Sequence, residues 1–185
     1  FQREHSSRQV QSRWGYAKRL NMELSRKISA EITKYAVEYQ ADVIVFEYLE
    51  MQGKISGKKK QKLHLWRKRD IQKLCEHQAH RNRIRVSRVS ARNTSRLACD
   101  GSGAVVRNPE NHSLCIFQTG KQYNCDLSAA YNIGARYFIR ELLKPLPETE
   151  RSSLEAKVPA VKRRTSCVYA DLRKLYVEAT NLKVA

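Results

Sequence analysis

The chain has 185 residues, room for one domain or for one with a small insertion. Lys and Arg total 36 against 18 acidic residues, a formal net charge of +18. That excess points to a polyanionic partner, and the absence of a long apolar run or a signal-peptide pattern favours nucleic acid over a membrane surface.

Residues 1–15 are charged and show no sustained periodicity. From about Tyr16 to Tyr39 a helical pattern takes over, with Leu20, Leu24, Ile28, Ile32 and Ala36 at four-residue steps as one apolar stripe expected to be buried. Next, "ADVIVFEYLE" carries the continuous run Val43, Ile44, Val45, Phe46, which reads as a strand covered on both faces, closed by Glu47. The Gly- and Lys-rich stretch "MQGKISGKKKQK" reads as a basic loop. A second helix is expected over about Gln61–His80, with Trp66, Ile71, Leu74, Cys75 and Ala79 on its buried side. "RIRVSRVS" alternates as a half-exposed strand does, and residues 91–124, rich in Asn, Ser and Gly, read as a loop-dominated insertion. A helix follows from Asp126 to about Leu143, stopped by Pro145 and Pro147. A linker with Pro159 then leads to a short final helix near Val168–Ala179. The alternation of helices and strands predicts an α/β domain.

The five cysteines, Cys75, Cys99, Cys115, Cys125 and Cys167, are irregularly spaced and read as reduced cytosolic thiols rather than a disulfide framework. The N-x-[ST] matches at Asn93 and Asn111 are then fortuitous. The opening at Phe1, inside a basic stretch, is what the C-terminal part of a longer protein would show.

Two carboxylates stand at the ends of elements. Glu47 closes an apolar strand and Asp126 opens an apolar helix. Glu47 can be the first solvated position after the core, and Asp126 can be an N-cap favoured by the helix dipole. They can also share a divalent cation such as Mg²⁺, because hard cations need oxygen ligands and phosphoryl-transfer sites use carboxylates. Lys58, Lys59, Lys60, Arg67, Lys68 and Arg69 are candidates for phosphate contacts beside such a site, in place of a merely solvated charged face.

Three blocks, "DVIVFEYLE", "SARNTSRLACDGSG" and "NCDLSAAYNIGARYF", occur in the order and spacing of TnpB-like proteins, the RNA-guided nucleases of insertion sequences related to compact type V CRISPR effectors. The first resembles the second RuvC motif, with Glu47 as its acid. The last resembles the third, usually D-x-N-A-A-x-N-I, with Asp126 as its acid, Asn132 and Ile133 matching and Ser128 in place of Asn. The middle block resembles the entry to the target-strand-handling insertion, and Arg92 would be its basic residue near the scissile phosphate.

The resemblance implies a RuvC-like (RNase H-like) α/β mixed sheet with flanking helices, of which only the C-terminal part is present. Residues 1–90 would be the RuvC part, 91–124 the insertion, 125–146 the final RuvC helix and 147–185 a tail of unassigned role. It implies a Mg²⁺-dependent (or Mn²⁺-dependent) endodeoxyribonuclease of the prokaryotic cytoplasm, working with a guide RNA on target DNA, with Glu47, Asp126 and Arg92 catalytic and the two acids holding metal. The first catalytic Asp has no counterpart in residues 1–15, so the chain alone is expected to be inactive. The alternatives are a nuclease-inactive, guide-directed DNA-binding protein and a transposon-associated nucleic-acid-binding protein. The family's insertion usually carries two C-x-x-C pairs around one Zn²⁺; here they read Cys99-x-x-Ser102 and Cys115-x-x-Gln118. With structural zinc wanting four N/S ligands, a zinc-free insertion is expected over a poor site of Cys99, His112 and Cys115, and Cys125 is expected to be a small buried residue.

Overall fold

A computed structural model describes residues 2–48, 68–163 and 165–184; the side chains of 2–9, 68, 183 and 184 lie outside that description. The fold is mixed α/β. The order is α1 (Gln2–Glu38), β1 (Val43–Tyr48), α2 (Lys68–Arg81), β2 (Arg85–Ser90), β3 (Val106–Arg107), β4 (Leu114–Ile116), β5 (Gln122–Asn124), α3 (Cys125–Leu143), α4 (Glu148–Lys157), a 3₁₀ turn (Pro159–Arg163) and α5 (Tyr169–Val184). The chain divides into two compact units, residues 1–44 with 50–86, and residues 45–49 with 87–185. β1 and β2 form a two-stranded sheet. No helix among the described residues is long and apolar enough to cross a membrane.

In the first unit α1 is longer than the periodicity predicts. Its first turns lack an apolar stripe, but "QREHSSRQVQSRW" contains neither Pro nor Gly, and Gln, Arg and Glu are good helix formers. The buried stripe is also not the expected one. Leu20 and Leu24 are each 47 % exposed and Ile28 is 44 % exposed, whereas Ser25, Ser29, Thr33 and Ala36 are buried. These small residues stand against α2, where Cys75 and Ala79 are fully buried. Small side chains let the helix backbones approach closely, and the hydroxyls can be buried because they are hydrogen-bonded. Ser25 Oγ donates to Asn21 O (2.8 Å) and Thr33 Oγ1 to Ser29 O (2.9 Å), while Gln78 Nε2 of α2 reaches Ser29 Oγ at 3.5 Å.

Only Ala36 of the five-residue apolar stripe is buried, because helix packing selects for closeness here as well as for hydrophobicity. Ser29→Leu should therefore cost about 1–3 kcal/mol by overpacking, while Leu24→Ser should stay within about 0.5 kcal/mol, the reverse of what the stripe suggests. Urea unfolding of the two variants checks the order.

Both helices of this unit end on a left-handed residue that turns the chain into a strand. Gln40 (φ 51°) follows α1, with Ala41 N bonded to Ala36 O at 2.8 Å. Arg83 (φ 60°) follows α2, with Ile84 N bonded to Ala79 O at 2.9 Å. These six-to-one bonds are Schellman closures made without glycine. The second predicted helix is observed from Lys68; its expected start, with Trp66, lies outside the described residues.

In the second unit the insertion is more ordered than a loop. β3, β4 and β5 form an antiparallel sheet with Val106 opposite Ile116 and Cys115 opposite Tyr123. Ala98, Cys115, Phe117 and Cys125 make its small core. Residues read as a linker contain α4 and the 3₁₀ turn. Their Leu154, Val158 and Val161 join Ile139 and Leu143 of α3, Leu175 of α5 and Cys167 just before it in one core cluster. Leu154 is the only buried residue of α4, so its single apolar contact leaves no periodic signal in the sequence.

Candidate functional site

The site is best built from α3 outward. Its N-cap is Asn124, not Asp126 as the sequence suggests. Asn124 Oδ1 accepts from the backbone N–H of Asp126 and of Leu127, each at 2.9 Å. Asp126 sits in the first turn, two residues after the cap and exposed, where its charge suits the positive end of the helix. Capping and the carboxylate are thus separate jobs on separate residues. Asn124→Ala should cost about 1 kcal/mol, and Asp126→Asn no more than about 0.5 kcal/mol. Thermal unfolding of the pair distinguishes them.

Asn132, Arg136 and Arg140 recur at four-residue steps along α3 and tie it to the segments that carry the other candidate residues. Asn132 is fully buried, and its Nδ2 donates to Thr94 O (3.0 Å) and Leu97 O (2.9 Å), while its Oδ1 accepts from Tyr169 N (3.1 Å). Arg140 donates to Ser87 Oγ (2.7 Å) and Arg88 O (3.2 Å), and pairs with Glu141 at 3.0 Å. Arg136 is 3 % exposed and donates to Ser90 O (2.6 Å) and Cys167 O (3.1 Å). Burial pulls its guanidinium below the ordinary value, with the thiol of Cys167 and the carboxylate of Glu47 opposing. Its second terminal nitrogen has no hydrogen-bond partner among the described residues.

Glu47 is half-buried near the end of β1. Thr94 Oγ1 donates to its carboxylate. Thr94 is itself 2 % exposed, set in a turn after β2 in which Asn93 takes the left-handed conformation (φ 62°) that Asn tolerates better than most residues. The structure thus links Glu47 to Thr94, and Thr94 to Asn132, six residues along the helix whose first turn carries Asp126. Arg92 lies two residues before Thr94 and is exposed. Arg69 is exposed in α2, and the side chain of Lys68 and all of Lys58, Lys59, Lys60 and Arg67 lie outside the described residues.

Thr94 and Arg136 were not legible as site residues. Thr94 is one hydroxyl in a Ser/Thr/Asn-rich stretch. The spacing of Asn132, Arg136 and Arg140 was a signal, since two arginines in line with a motif residue on an apolar helix need buried acceptors.

Glu47 and Asp126 offer only carboxylate oxygens, with a hydroxyl behind Glu47, and that donor chemistry fits a hard divalent cation. Among the described residues no group of three or more His, Cys, Asp or Glu side chains is gathered to hold a metal ion. In the insertion, His112 is exposed while Cys115 and Cys125 are buried. Burial and the neighbouring Cys125 and Cys99 push the Cys115 thiol up to about 11, against the opposing charge of Arg107. A Cβ on Gly103 (φ 119°), next to Ser102, would come within 2.7 Å of the Gln118 side chain. Ser128, the departure from the third motif, accepts from the backbone N–H of Cys99 at 3.2 Å, which its short hydroxyl reaches from a buried position.

No protein-family model matches the chain, and no curated protein matches it significantly.

Proposed function

We propose that the chain is the C-terminal, RuvC-like part of an RNA-guided DNA endonuclease. The observation that carries the reading is the hydrogen-bonded run from Glu47 through Thr94 to Asn132 on the helix that starts with Asp126. A half-buried carboxylate held by a buried threonine is oriented before any ligand arrives, so it does not pay the full entropy of being fixed at that moment. Arg136 supplies a buried positive charge that interacts with the Glu47 carboxylate.

Glu47 and Asp126 would hold Mg²⁺, which when bound polarises a phosphoryl oxygen and lowers the pKa of coordinated water. Arg92, exposed after β2, would offset negative charge on the scissile phosphate. Sequence selection would rest with guide pairing, and the net charge of +18 supplies phosphate affinity without reading bases. The test is a Mg²⁺-dependent cleavage assay on the full-length protein with its guide RNA, run beside a target-binding assay on Glu47→Gln and Asp126→Asn.

A further inference from the structure

α3 and α5 pack in the second unit and leave a groove of about 520 Å³ lined by Phe138, Tyr169, Tyr176, Val177 and Arg173, among others. Its rings are open to solvent: Phe138 is 55 % exposed, Tyr176 64 % and Tyr169 37 %. Tyr131, exposed on α3, extends the row, its ring centroid 5.2 Å from that of Tyr169. Four aromatic rings on one exposed face are more than scattered surface hydrophobes and mark a contact surface.

The charges around the groove indicate what it contacts. Arg173 lines it, and Lys174 follows on α5. The acids nearby are engaged: Glu178 pairs with Lys157 at 2.9 Å, Glu141 with Arg140, and Asp171 accepts from Val168 N at 2.9 Å. A partner must therefore offer flat apolar faces together with negative charge, as the chain's excess of +18 also requires. Single-stranded nucleic acid does both, because its bases stack on exposed rings while its phosphates meet cations. A duplex hides those base faces.

We propose that the groove between α3 and α5 is a stacking platform for single-stranded nucleic acid. It is separate from the Glu47 and Asp126 carboxylates and does not rest on the nuclease reading. The experiment titrates the full chain with labelled oligo(dT) and oligo(rU), each of about twelve nucleotides, at several salt concentrations. Phe138→Ser with Tyr176→Ser should weaken binding about tenfold or more while leaving the salt slope unchanged. Phe138→Trp should retain affinity, which a merely solubilising effect of the serines would not predict. Arg173→Gln should lower the salt slope by about one. The two oligonucleotides tell DNA from RNA. The proposal is overturned if the double serine variant binds as tightly as the parent or if duplex competes as well as single strand. It is overturned equally if the serines abolish self-association and leave oligonucleotide binding intact, the mark of a protein-docking face.

Discussion

Glu47→Gln should abolish DNA cleavage by the full-length, guide-loaded protein in Mg²⁺ and leave target binding almost unchanged. The amide keeps the size of the carboxylate and can still accept from Thr94 Oγ1, so the local fold is retained. What it removes is the negative charge that draws a hard cation. Charge stabilisation by a catalytic metal is worth several kcal/mol, so the loss in rate should be about a thousandfold or greater. On the proposed function, binding would rest on guide pairing and on Lys and Arg contacts to phosphate, to which a carboxylate contributes nothing. Asp126→Asn should behave alike, and because the N-cap is Asn124 its effect on stability should be small. Cleavage at the parental rate by Glu47→Gln would remove the RuvC assignment.

Arg136→Met should be the most destabilising single change in the second unit, at about 3 kcal/mol or more. Methionine fills much of the same space but leaves the carbonyls of Ser90 and Cys167 without their donor and Glu47 without its buried positive neighbour. Unsatisfied buried polar groups cost about 1–3 kcal/mol each. Arg136→Lys should rescue little, since one ammonium cannot reproduce the fork that reaches both carbonyls. Urea denaturation reads the loss as a lower midpoint at constant slope. A variant as stable as the parent would mean that Arg136 is not the strut its hydrogen bonds describe.

Elements whose local signal agrees with their packing were legible. The β-branched run at Val43–Phe46 became β1, though it is half-buried rather than covered on both faces, and the apolar helix after Asn124 ends where Pro145 and Pro147 require. The misreadings have specific causes. The α1 stripe was misjudged because periodicity weighs hydrophobicity, whereas contact with α2 is made by Ser25, Ser29 and Thr33, residues a hydropathy pattern counts as polar. α4 was hidden because one leucine buries it. Asp126 can pass for the cap in the sequence because Asp and Asn are both good caps and only geometry separates two candidates two residues apart. The resemblance names Glu47 and Asp126 as candidates but not Thr94, whose hydrogen bond depends on a turn that brings residue 94 back to residue 47.

The amide of Asn132 has an outcome for anyone who wants this protein shorter. Residues 147–185 look expendable, being a tail beyond the last recognisable motif. Yet Asn132 spends its only acceptor on the N–H of Tyr169, Arg136 spends one arm on Cys167 O, and Ile139 and Leu143 are covered by Leu154, Val161 and Leu175. Trimming the tail would cost Asn132 and Arg136 one hydrogen bond each and strip α3 of much of its apolar cover in one cut. Miniaturisation has to take its residues from elsewhere, because here the tail shares one core with α3.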